Sequence, residues 1–160
     1  MPRSAGNWLR PAVLLASALP AASTALAADG AAHSSQLERE GKSLQAVCGK
    51  CHDLQIVMNT PRSLDDWRDT MQKMVDRGAS GTDEQYDDIL DYLHRTMTTI
   101  DVNSADADEL ATVLGASGPT VKLIIARRTA KKFADLADLK TVPGVDAATL
   151  DAKAKLIYYQ

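Results

Sequence analysis

Cysteine is almost missing from this chain. Among 160 residues there are two, with three histidines and a single phenylalanine. A tetrahedral zinc site wants four ligands, and no second cysteine pair exists to complete one. An iron–sulfur cluster usually wants four cysteines and fails on the same count. Aromatic residues make up 4% of the chain. Any small core is therefore aliphatic, unless a bound group fills it. No strand pattern marks residues 28–100, and no Ser/His/Asp or paired-carboxylate constellation offers general catalysis. Net positive charge is absent too. The formal net charge is −3 and the pI about 5.5, which argues against bulk affinity for nucleic acid. The one long apolar run, Pro11 to Leu19, is too short to span a membrane.

What the chain does have is Cys48-Gly49-Lys50-Cys51-His52, which contains both cysteines. Cys-x-x-Cys-His reads as an attachment site for a c-type haem. Two thiols three positions apart can add across the two vinyl groups of a porphyrin. The adjacent His52 then offers a ring nitrogen to the iron from one side. A thioredoxin-like pair would start a helix after a strand, and no βαβ pattern surrounds this one. A plain disulfide remains the bland alternative, but so short a loop gains little from closure.

Residues 1–27 read as an export signal. Arg3 and Arg10 give the positive start, Pro11–Leu19 the apolar run, and Ala25-Leu26-Ala27 the cleavage tripeptide. No Arg-Arg pair precedes the run, which points to general secretion rather than twin-Arg export. Cleavage would leave no membrane span, and the expected place is the periplasm, where c-type haem is attached. Residues 28–100 hold 13 acidic and 8 basic residues, whereas 101–160 hold 8 of each. That shift sets a domain boundary near Ile100. The expected organisation is a mobile leader over 28–35, one domain over 36–99 and a second over 100–160.

The first domain reads as helical throughout. Leu37, Leu44 and Val47 predict a helix over Gln36–Val47 that delivers Cys48. Asp53–Arg62 reads as a loop. Ser63 and Asp66 form a capping box for a helix with Trp67, Met71, Met74 and Val75 on one face, ended by Gly78. Thr82 and Gln85 cap the next helix, whose buried stripe is Tyr86, Ile89, Leu90, Leu93 and Met97.

This order, CxxCH, then Trp67…Met74…Gly78-Ala79, then Ile89-Leu90-Asp91-Tyr92-Leu93, resembles small monohaem cytochromes c of class I over residues 36–98. The resemblance implies one covalent haem c held by Cys48 and Cys51, with His52 on the iron and a downstream Met as sixth ligand. Met74 stands in the matching context, and Met71, one turn earlier on the same face, is the second choice. Met58 is too close to His52 to cross the haem, and Met97 reads as core. Either Met71 or Met74 can also be plain packing. Trp67 fits haem contact and core equally.

The second half reads as helix, glycine turn, helix, repeated once. Ala107–Leu114 and Thr120–Arg128 flank Gly115–Pro119. Phe133, Leu136 and Leu139 mark a connecting turn. Ala147–Tyr158 follows Val142-Pro143-Gly144-Val145 as the last helix. With Asp101–Ala105 and Glu109-Leu110, this resembles the tandem helix-hairpin-helix module of the competence-protein type, and its Val-Pro-Gly-Val hairpin resembles that of an extrinsic photosystem II subunit. In DNA-binding members of such families, hairpin N–H groups hold a phosphate. Here Asp146 replaces a glycine, and a carboxylate there repels phosphate. Arg127-Arg128 and Lys131-Lys132 form a basic cluster that reads first as a solvated face. Protein docking is favoured over DNA.

The expectation is an all-α, exported one-electron carrier that is not an enzyme. A cytochrome c domain is followed by a helix-hairpin-helix domain that docks to a redox partner. A DNA-binding protein with a redox-sensing haem is the alternative, and a five-coordinate haem enzyme or ligand sensor a third.

Overall fold

Alanine, the strongest helix former, crowds the chain up to Ala32 and starts the first helix early. The computed structural model describes residues 23–160, with side chains from residue 32, and α1 runs Ser23–Cys48. Residues 28–35 are thus part of this helix, where the sequence suggested a mobile leader. The body of the export signal, residues 1–22, lies outside the described residues. No single helix among the described residues is long and apolar enough to cross a membrane.

A short helix, α2 (Gln55–Met58), forms inside the expected loop, because the Asp53 carboxylate accepts the Gln55 N–H at 2.8 Å. Helix α3 (Leu64–Asp76) is capped by Ser63, which accepts the Asp66 N–H at 3.1 Å and donates its hydroxyl proton to Asp66 at 2.8 Å. Helix α4 (Asp83–Met97) starts on the full reciprocal box of Thr82 and Gln85. One core binds α1, α3 and α4: Leu44, Val47, Trp67, Ile89, Leu93 and Met97 are all buried. The Trp67 indole N–H donates to the Met97 carbonyl at 3.3 Å, so a large aromatic is buried with its polar edge satisfied.

Charge also joins α1 to α4. Glu40 is fully buried and pairs with Arg95. Asp88 accepts from Ser43 at 2.8 Å and from Arg39 at 3.3 Å. A pattern search scores such residues as solvent-facing, yet here they lie across the main helix–helix contact.

The second core gathers thirteen buried residues, among them Val102, Leu110, Ile124, Phe133, Leu139 and Leu150. It is built by α5 (Ala107–Leu114), α6 (Gly118–Ala130), α7 (Leu136–Lys140) and α8 (Ala147–Ala152). The last helix is shorter than the sequence pattern suggests. After α8 come a single 3-10 turn, Ala154–Leu156, and a strand, β2 (Ile157–Tyr158). β2 pairs in parallel with β1 (Ile100–Asp101), with Ile100 opposite Ile157 and Asp101 opposite Tyr158. β-branched Ile157 and the aromatics Tyr158 and Tyr159 prefer extended backbone. Ile157 faces the core in either conformation, so helical spacing alone could not tell the two apart. The protein remains mostly helical, as expected of an all-α chain.

Tyr159 carries a testable anomaly. Its hydroxyl is buried and has no hydrogen-bond partner. Burial, helped by Asp135, pushes its pKa up to about 12 from 10.0. A raised folded-state pKa means stability that is present below the unfolded value and lost as pH climbs through the folded one. Tyr159→Phe should therefore leave the urea midpoint unchanged or higher at neutral pH, since no bond is lost. It should exceed wild type by a growing margin between pH 10.0 and about 12. A clear loss at neutral pH would mean the hydroxyl has a partner.

Candidate functional site

The CxxCH residues sit at the C-terminal end of α1. Cys48 is its last residue and is half-buried, while Cys51 and His52 are exposed in the turn that follows. Both thiols are free. Burial raises the Cys48 pKa. A redox-active Cys pair has the opposite arrangement, a helix N-terminus and a lowered thiol pKa. This geometry separates the motif from the thioredoxin type more firmly than the sequence alone.

His52 Nδ1 lies 3.3 Å from the Asp53 carbonyl oxygen. A proton on Nδ1 donated there leaves Nε2 as the free electron pair, the orientation that metal-binding imidazoles take from a backbone carbonyl. Of the three histidines only His52 lines the cavity described next. His33 is exposed on α1. His94 lies in a separate cleft with Asp91 and Glu109, its pKa lowered by burial.

The cavity opens beside the motif and holds about 180 Å³, with further space at its open mouth. Its lining is almost wholly apolar. Leu44, Val47 and Cys48 form one wall from a single face of α1. Tyr86, Ile89 and Leu93 form another from α4. Trp67, Thr70, Met71 and Met74, at helical spacing on α3, form the third. His52 from the motif and both candidate methionines thus border one space. Cys51 stays outside the lining, as do Met58 and Met97, the latter held in the core.

Helix α3 ends in a way that fixes Met74. Gly78, at φ +100°, is the left-handed residue after the helix. Its N–H donates to Val75 O and the Ala79 N–H to Met74 O, each at 2.9 Å. These are the paired bonds of a Schellman ending, in which the third-last helical residue meets the residue beyond the glycine. Those two residues are Met74 and Ala79, and both line the cavity. Met71 packs against the core of α1, α3 and α4; Met74 is not among the residues so packed. The Tyr86 hydroxyl steadies the same turn by donating to Ala79 O at 2.9 Å.

One arginine breaks the apolar lining, and nothing in the sequence singled it out. Arg62 borders the cavity with its guanidinium 5.5 Å from the centre of the Trp67 ring. Its Nε is buried without a partner. A buried cationic donor left unpaired is a place where an acidic group of a bound molecule would be stabilised.

The second candidate site is the pair of hairpins. Gly115, at φ +64°, ends α5, and Ser117 caps α6. In the other hairpin Gly144 has φ +87°, and a methyl there would stand 2.5 Å from Thr120 Oγ1. The Thr120 hydroxyl instead donates to Gly144 O at 3.3 Å, locking one hairpin to the other. Residues 96–158 match a helix-hairpin-helix motif family. This C-terminal part is similar to that family, with its two glycine turns at Gly115 and Gly144. No match to a cytochrome c family was found. No curated protein matches the chain, and no solved structure does.

Helix-hairpin-helix motifs serve DNA binding or protein docking. In this unit Asp146, Arg127 and Arg128 are all engaged within the fold. Asp146 caps α8, accepting the Thr149 N–H at 2.9 Å and the Thr149 hydroxyl, and these bonds lower its pKa. Arg128 donates to the carbonyls of Val102 at 2.9 Å and Ala105 at 2.7 Å. Arg127 pairs with Asp138 at 2.6 Å. The basic cluster is therefore not simply a solvated face, because its two arginines fasten the unit's own loops.

Proposed function

We propose that the chain is an exported c-type cytochrome that carries single electrons and docks to a redox partner through its helix-hairpin-helix unit. One juxtaposition carries the reading: Cys48 and His52 share an apolar cavity with Met71 and Met74. The residues fit a haem on three counts. The space is apolar, its lining brings an imidazole and two soft thioethers to one cavity, and Arg62 supplies an unpaired cation for an acidic side group. Cys48 and Cys51 would hold the porphyrin covalently, and His52 and Met74 would be the protein ligands to its iron. A haem bound this way supplies a ferric/ferrous couple. The chain's own part is to exclude water with the three helical walls and to fix His52 through Asp53. Two protein ligands leave no open position for oxygen or substrate, which favours a carrier over an enzyme.

Protein docking is preferred to DNA because Asp146 fills the second hairpin's helix start and Arg127 and Arg128 are engaged within the fold. The test is carbon monoxide. Reduced, haem-loaded protein should leave its visible spectrum unchanged on exposure to the gas. Ready binding would point instead to the five-coordinate sensor or enzyme. Retention of DNA at physiological salt would favour the redox-sensing alternative.

A further inference from the structure

Two sets of bonds tie the cavity half to the hairpin half. The first follows the backbone. The Arg62 N–H donates to Met97 O at 3.3 Å, and the Thr99 N–H donates to Arg62 O at 2.8 Å. The Trp67 indole joins the same Met97 carbonyl. Just beyond, Ile100 and Asp101 pair with Ile157 and Tyr158, and the Val102 N–H donates to Tyr158 O at 3.1 Å. Two residues that line the cavity thus hold Met97 and Thr99, directly before the strand with which the C-terminal end of the chain is paired.

The second tie is Lys153, the residue that ends α8. Its ammonium donates to Arg95 O at 2.9 Å and to Val113 O. These are last-turn carbonyls of α4 and α5, so the cation sits on the negative ends of two helices from different halves. Arg95 in turn holds the buried Glu40 of α1. Burial lowers the Lys153 pKa, with Arg95 adding to the shift. The cation has therefore left water to make this contact, and leaving it unmade would strand two carbonyls.

We propose that these ties make the two halves one cooperative unit, with Lys153 as its latch, so that the state of the cavity is felt in the helix-hairpin-helix unit. The inference goes beyond electron carriage and does not depend on what fills the cavity. A docking half that senses the cavity would bind its partner differently when the cavity is filled or empty.

Amide hydrogen exchange on the full chain tests it. Leu44 is 3% exposed, lines the cavity and belongs to the first core only. Leu44→Ala should speed exchange at Leu93 in α4, and at Leu150 and Val102 in the other half, by similar factors of about tenfold or more. Faster exchange at Leu93 with no change at Leu150 and Val102 would overturn the proposal. Ile89→Val is the milder substitute should Leu44→Ala fail to fold. Repeated on a Lys153→Met background, the response at Leu150 should shrink by about threefold or more. An undiminished response would remove Lys153 from the role of latch.

Discussion

Met74→Ala, in protein matured with haem, should abolish the sulfur-to-iron absorption band of the oxidised form and lower the midpoint potential by on the order of 100 mV or more. Axial ligand identity sets haem potentials over about 0.8 V, and a soft thioether favours the reduced iron. Carbon monoxide should then bind the reduced variant readily. Met71→Ala is the control, and it should keep the band. Met71 packs against the first core, so its loss should cost stability, up to about 2 kcal/mol for a partly buried Met. Met74 lines the cavity from the Schellman turn, where its backbone is fixed by the Ala79 N–H. A band that survives Met74→Ala and disappears in Met71→Ala would move the ligand one turn up α3.

The second large effect is on stability alone. Arg95→Met should cost about 3–5 kcal/mol, because it strands the fully buried carboxylate of Glu40. Against a typical total of about 5–15 kcal/mol, that is a large share. Arg95 also pairs with Asp91 at 3.6 Å, but Asp91 is exposed and that contact adds little. The double variant Glu40→Met/Arg95→Met should recover most of the loss, since a buried ion pair often exchanges with apolar groups at little net cost. The urea midpoints of the four proteins form a double-mutant cycle that reads the coupling directly. Equal losses in Arg95→Met and the double variant would show that packing, not the stranded charge, sets the cost.

Much of the first half was legible from short-range chemistry. Ser63, Thr82 and Gly78 each stop or start a helix within four residues of themselves, so their caps could be read locally. The stripe of α4 faces the core as expected, as do Trp67 and Met71 of α3, whereas Val75 of the expected α3 face is exposed and Met74 borders the cavity instead. What escaped depends on distance along the chain. Glu40 looks like a surface acid until Arg95, 55 residues away, is placed on it. Arg128 looks like part of a basic patch until the Val102 and Ala105 carbonyls arrive. Arg62 ends a loop whose proline hides its value, and only the closing of three helices makes it the one cation on an apolar wall. The strand at Ile157–Tyr158 needs a partner from Ile100–Asp101 to exist at all.

The candidate site divides the same way. The motif Cys48–His52 states its chemistry by spacing, and Met74 was singled out by its glycine context. That Cys48, His52 and Met74 share one cavity is a property of the packed helices. The hairpins were legible through Gly115 and Gly144. Asp146 read only as a carboxylate that repels phosphate, and its capping of α8 became visible with the Thr149 N–H in place.

The most direct measurement is intact mass together with a visible spectrum, taken after denaturation, of protein exported from cells that attach c-type haem. Wild type should keep one haem through denaturation, and the variant Cys48→Ala/Cys51→Ala should carry none. A wild-type chain that emerges at its polypeptide mass, or that releases its haem on unfolding, would contradict the cytochrome reading and leave the helix-hairpin-helix unit as the guide to function.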